Sequence, residues 1–99
     1  MFLLKLTYIR PIEEIDRFVV EHRAWLDTLY ANKEAVCSGP QIPRNGGIIF
    51  LCVKTRARVD EIIVADPFHR ENLATYEVIE FEALKFDSAF APFAERASR

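Results

Sequence analysis

From Ile12 to Leu29, the residues Ile12, Ile15, Val19, His22, Leu26 and Leu29 recur at spacings of 3, 4, 3, 4 and 3. That rhythm is the signature of one helical face. It predicts a single long amphipathic helix over residues 12–31, with Phe18, Trp25 and Tyr30 widening the apolar stripe. Pro11 suits the first turn, where its missing N–H would have no partner. Glu13, Glu14 and Asp16 stand near the positive end of the helix dipole. Asn32 is expected to terminate the helix, because asparagine tolerates a left-handed backbone. The stripe has to lie against another apolar surface, and it carries an imidazole at its centre.

The flanking segments change period. Phe2–Ile9 reads as a strand ended by Arg10-Pro11. Ala35–Ile42 reads as a second, interrupted by Gly39-Pro40, which points to an edge or a bulge. Asn45-Gly46 between apolar runs signals a hairpin, and Ile48–Lys54 forms its other arm. Thr55 can cap a shorter helix over residues 56–65, whose stripe is Val59, Ile62 and Ile63. Pro67 keeps Asp66 out of the helical region and stops that helix. A fourth strand runs roughly from Ala74 to Leu84, where Val78, Glu80 and Glu82 alternate with Ile79, Phe81 and Ala83. The tail, residues 85–99, holds Phe86, Phe90 and Phe93. It is too apolar for a free end and is expected to pack on the domain itself or on a partner chain. The order β-α-β-β-α-β is a ferredoxin-like α+β plan with a four-stranded antiparallel sheet.

Ninety-nine residues suit one domain spanning residues 1–99. So short a chain buries a limited share of its surface, and pairing with a second copy would supplement its core. Thirteen basic and fifteen acidic residues leave a net charge of −2, without the basic stripe of a nucleic-acid binder. No secretory signal and no apolar stretch of membrane-spanning length is present. Cytoplasmic residence is expected by elimination. Cys37 and Cys52 make neither a disulfide framework nor a metal motif; on the two arms of one hairpin they either bond across it or, as a cytosolic chain favours, stay reduced thiols.

Two polar residues sit where apolar ones belong. His22 lies on the midline of the first helix stripe, and Asp66 continues the inward stripe of the second. Both helices of this plan cover one face of the sheet, so an imidazole and a carboxylate enter the same layer. An unpaired polar group there costs about 1–3 kcal/mol. Either the two satisfy each other as a structural bond, or they line a cleft open to a ligand. In the second case the chemistry is proton transfer. Imidazole titrates near neutrality, and a carboxylate on one ring nitrogen leaves the other free as general base or acid. Ser38, Gly39 and Pro40 either offer a hydroxyl and backbone amides to a substrate or form a plain bulge. Arg10 either holds an anionic group at the strand-to-helix junction or is a surface arginine. Trp25 reads as core or interface, and His69 with Arg70 as an exposed turn. There is no nucleophile elbow, no phosphate loop, and no spacing between His22 and His69 that suits a metal.

Taken together, Tyr8-Ile9-Arg10-Pro11, His22-Arg23-Ala24-Trp25-Leu26, Ser38-Gly39-Pro40, Asn45-Gly46-Gly47 and Asp66-Pro67-Phe68 resemble the YciI-related (YCII) family, over residues 2–81. The resemblance implies a dimeric α+β barrel, in which the sheets of two protomers face each other. It implies an active-site pair, with the family's histidine falling on His22 and its aspartate on Asp66. It implies no tightly bound cofactor. One lineage of the family acts as a dehydrochlorinase in aromatic degradation. Val19 stands where many members carry an arginine, and Asn32-Lys33-Glu34 where many have a glycine. The expectation is an enzyme performing isomerisation or elimination on a small anionic or phenolic compound. The alternative is a dimeric binding module without turnover.

Overall fold

The structure, a computed structural model, describes residues 1–98. Its strands are β1 (Phe2–Tyr8), β2 (Ala35–Pro40), β3 (Gly46–Leu51) and β4 (Ala74–Glu80), and its helices α1 (Ile12–Asp16), α2 (Val19–Ala31), α3 (Arg56–Val64), α4 (Pro67–Arg70) and α5 (Ala91–Ala97). The sheet order is β2-β3-β1-β4, and every neighbouring pair is antiparallel. This is the ferredoxin-like α+β arrangement that the pattern of periods predicts.

Register divides the sheet into two faces. Phe2, Leu4 and Leu6 of β1 align with Leu51, Ile49 and Gly47 of β3 and with Glu80, Val78 and Tyr76 of β4. All three β1 residues are buried under the helices, together with Ile49, Leu51, Ile15, Trp25, Leu29, Val59, Ile62 and Phe68. The opposite face carries Leu3, Ile48, Phe50 and Ile79, of which Ile79 is exposed.

Several boundaries depart from the sequence expectation. The long helix is two. Arg17 and Phe18 bond back only three residues, to Glu14 and Ile15, and Phe18 leaves helical geometry with φ −117° and ψ 7°. No glycine or proline marks the break; Ile15 is fully buried on one side of it. The left-handed residue after α2 is Lys33 (φ 59°), not Asn32 (φ −85°). The hairpin turn is a five-residue loop, 41–45, containing a cis Ile42–Pro43 bond, and Gly46 already belongs to β3. The irregularity of β2 falls between Ala35 and Cys37, so Gly39 and Pro40 lie in regular register opposite Ile48 and Gly47. β4 ends at Glu80, short of Leu84.

Thr55 caps α3, accepting from the Arg58 backbone N–H. α3 gives way at Ala65, and the chain turns through Asp66 directly into α4 with Pro67 in its first turn. The tail packs on its own domain: Phe90 lies 5.8 Å from Phe50 and 5.4 Å from Phe93, centroid to centroid, on the face away from α2. Cys37 is exposed and Cys52 buried, and both are free thiols.

Candidate functional site

Among the described residues Asp66 is the buried charged side chain of the core, and three elements reach it. Its position is local in origin: an extended residue before Pro67, capping α4, must turn its side chain back onto the α4 N-terminus. There Oδ1 accepts from the Phe68 backbone N–H at 3.0 Å. The same oxygen meets Nδ1 of His22, on α2, at 2.9 Å. Oδ2 accepts from the Tyr76 hydroxyl, on β4. Among the described residues no buried side-chain nitrogen or oxygen lacks a partner.

The contact engages Nδ1 of His22 and leaves Nε2 without a partner on Asp66; against a carboxylate that only accepts, Nδ1 is the donor. Burial, followed by the charge and bonding of Asp66, pushes the Tyr76 phenol well above its ordinary range. Tyr76 therefore keeps its proton and acts as a donor at neutral pH. The imidazole is also held in plane: it stacks on Phe68 with centroids 4.0 Å apart and rings 4° from parallel. Trp25 flanks it at 5.4 Å. Outside this arrangement, Arg70 of α4 pairs with Glu21, the residue before His22, at 2.8 Å. Exposed pairs of this kind contribute little, roughly 0–1 kcal/mol.

His22 opens onto a cleft of about 190 Å³ between α2 and the β2–β3 edge. Its side chain retains 14% exposure, against none for Asp66. Tyr8, Asp16, Arg23, Leu26, Arg44 and Phe68 contribute to the lining, with Ser38, Gly39 and Pro40 forming the β2 wall. The Ser38 hydroxyl is engaged with Tyr30 at 2.7 Å. Gly47 faces the cleft from β3, and a Cβ there would come within 3.3 Å of the Gly39 carbonyl. Larger hollows of about 580 and 670 Å³ lie along the end of β4 and the tail, but His22 lines neither. The imidazole bonded to Asp66 faces the smaller space.

Arg10 is placed elsewhere. Its guanidinium donates to the adjacent Ile9 carbonyl at 2.9 Å, is exposed, and is not among the residues lining the cleft. Sequence reasoning missed Tyr76, although it shares a face with Val78. It also missed Arg44, which sits in the 41–45 loop and donates to Asp16 at 2.7 Å. His69 and Arg70 are exposed as expected, but they lie in the helix α4 and not in a turn. Among the described residues no group of three or more His, Cys, Asp or Glu is arranged to hold a metal ion.

A profile of the YCII-related domain matches residues 1–82. The chain belongs to the YCII-related family. No curated protein sequence matches it. Among solved structures, this YCII-related chain is similar to 5-chloro-2-hydroxyhydroquinone dehydrochlorinase from Burkholderia phenoliruptrix AC1100, determined in complex with 2,5-dihydroxybenzoquinone. The TM-score is 0.69 and the identity 19%, over 82% of this chain and 93% of that one. At that identity the likeness establishes a shared fold. The YCII-related match ends before the tail, so α5 and the tail residues Phe86, Phe90 and Phe93 lie beyond the part of the chain that defines the family. No helix of the described residues is long and apolar enough to cross a membrane.

Proposed function

We propose that this YCII-related protein is a small-molecule enzyme in which His22 moves a proton and Asp66 orients it. The observation that carries the reading is the three-donor carboxylate of Asp66, which spends Nδ1 of an imidazole lining a cleft and leaves Nε2 unspent. A purely structural pair has no need of an adjoining hollow. The reaction is isomerisation or elimination. In an elimination the imidazole takes a proton from the substrate, the freed electron pair forms a new double bond, and a leaving group such as halide departs. Asp66 then places negative charge beside the imidazolium that forms. Neither reaction needs an oxidant or a tightly bound cofactor. The dehydrochlorinase that shares the fold supports the choice of class. Ser38, Gly39 and Pro40 wall the substrate in, whereas Arg10 takes no part.

The protein is further proposed to be a cytoplasmic homodimer. Support comes from the face of the sheet away from α2, where Ile79 and Phe81 remain 45% and 42% exposed beside Phe50. A second copy would cover that face.

The test of catalysis is turnover. Chlorinated hydroxyhydroquinones and related phenols are incubated with the protein while chloride release and quinone absorbance are followed. His22→Asn should lower turnover by about 10²–10⁴-fold with the fold retained by circular dichroism. Unchanged turnover in that variant refutes the role. A lowered melting temperature with no turnover in either protein favours the binding module.

A further inference from the structure

The rim of the cleft is charged in a way that the whole chain is not. The protein carries a net charge of −2. Yet the charged side chains that line the cleft beside His22 are two guanidiniums, Arg23 and Arg44, against one carboxylate, Asp16. A concave site with an excess of one sign concentrates ligands of the other.

Arg44 is the better placed of the two arginines. Asp16 holds it through one contact, Nη2 to Oδ1 at 2.7 Å, and its guanidinium lies 5.9 Å from the centroid of the Tyr8 ring. Asp16 raises its affinity for a proton further, so its charge is permanent. Both members of the pair are about half exposed, at 41% and 54%. A pair so wet is weakly bound, and a ligand oxyanion can displace one carboxylate for another at small cost. A guanidinium presents five donors in a planar fork that matches a carboxylate or enediolate edge. Arg23 has no hydrogen-bond or ion-pair partner among the described residues. The cleft's volume of about 190 Å³ has room for the body of a one-ring ligand.

We propose that Arg44, supported by Arg23, is the specificity-determining residue of the cleft, and that the ligand is a small one-ring organic acid. Its anionic edge replaces Asp16 on Arg44 while its body reaches His22 along the Ser38–Pro40 wall. The proposal rests on the cleft being the active site, and it assigns to Arg44 the anchoring part that sequence reasoning gave to Arg10.

The test measures binding, not turnover. Salicylate and 2,5-dihydroxybenzoquinone, both anionic at neutral pH, are titrated into the protein alongside the neutral salicylamide and hydroquinone. Chemical shifts of the Gly39 and Gly47 amides and the His22 ring report the binding. The native protein should prefer the anions, with a preference that falls as salt rises. Arg44→Met should cut anion affinity roughly tenfold or more and leave the neutral compounds unaffected. Arg23→Met should give a smaller loss, and Arg10→Met none. Melting temperatures close to the native value in all three variants show that folding is intact. No anion preference, or a preference that survives Arg44→Met, overturns the proposal. Binding without turnover of any phenol sinks the catalytic reading alone, while turnover indifferent to Arg44 sinks only this assignment.

Discussion

A single carboxylate, Asp66, ties together α2, α4 and β4 through side-chain and backbone donors. Losing one donor leaves a buried lone pair without a partner, whose desolvation costs about 1–3 kcal/mol. Tyr76→Phe removes the hydroxyl and nothing else. It should lower stability by about that amount in urea unfolding, and reduce turnover by about tenfold, since residues that orient a reacting group typically matter at the 10–100-fold level. The Glu34–Arg58 pair makes a second test at this scale. The guanidinium grips the carboxylate with both edges, at 2.5 and 2.8 Å, and fixes the start of β2 against α3. That bond to Arg58 holds the Glu34 carboxyl below its ordinary value of 4.5, burial opposing it. A group whose pKa is depressed by folding stabilises the fold above its unfolded pKa and loses that effect as the pH falls through the folded one. Glu34→Gln should therefore melt lower than the native protein at neutral pH, by the equivalent of about 1 kcal/mol given how exposed Arg58 is. The gap should close as acid takes the pH below the ordinary glutamate range. Calorimetry across that range checks the sign.

At the scale of elements, the site depends on two features that pattern alone does not supply. One is the corner from α3 into α4. Pro67 explains why α3 stops, but only the fold shows that Asp66 then caps the next helix and turns inward. The other is the close approach of β1 and β3 at the start of the hairpin arm. A Cβ at Gly46 would lie 1.8 Å from the Leu6 carbonyl oxygen, which is backbone and cannot rotate away. The Asn45-Gly46-Gly47 motif therefore owes its first glycine to strand packing and not to a two-residue turn. Gly46→Ala should push the strands apart and destabilise by about 2 kcal/mol or more, measurable as a shift of the denaturant midpoint. Because Gly47 and the 41–45 loop bear on the cleft, the same variant should weaken ligand binding. Periodicity did locate His22 correctly within α2, even though the helix it predicted breaks at Phe18. The break lies on the N-terminal side, so the spacing of His22, Trp25 and Leu29 is undisturbed.

At the scale of the molecule, the helices cover one face of the sheet and the tail covers part of the other. Phe90 packs on Phe50 at 5.8 Å and Phe86 on Phe90 at 6.0 Å, centroid to centroid. Within one chain the tail thus rests on the domain's own sheet. Ile79 and Phe81 still face outward beside it. If a second copy covers them, light scattering at micromolar concentration returns twice the chain mass, and Ile79→Glu converts the particle to a monomer. A monomeric mass for the native protein removes the dimer proposal.

The sequence alone determined the order and type of the main elements, because alternation and helical spacing are local consequences of which face each residue must bury. It also identified His22 and Asp66 as polar residues on buried stripes, and so the most informative pair in the chain. Beyond that pair, which does meet, it could not determine which distant residues come together. Tyr76 reaches Asp66 because β4 pairs with β1 in a register that puts Tyr76 opposite Leu6. Arg44 replaces Arg10 at the cleft because a loop folds back over Tyr8. Both facts arise from long-range packing, which sums many weak contacts across the chain and leaves no period in the sequence to read.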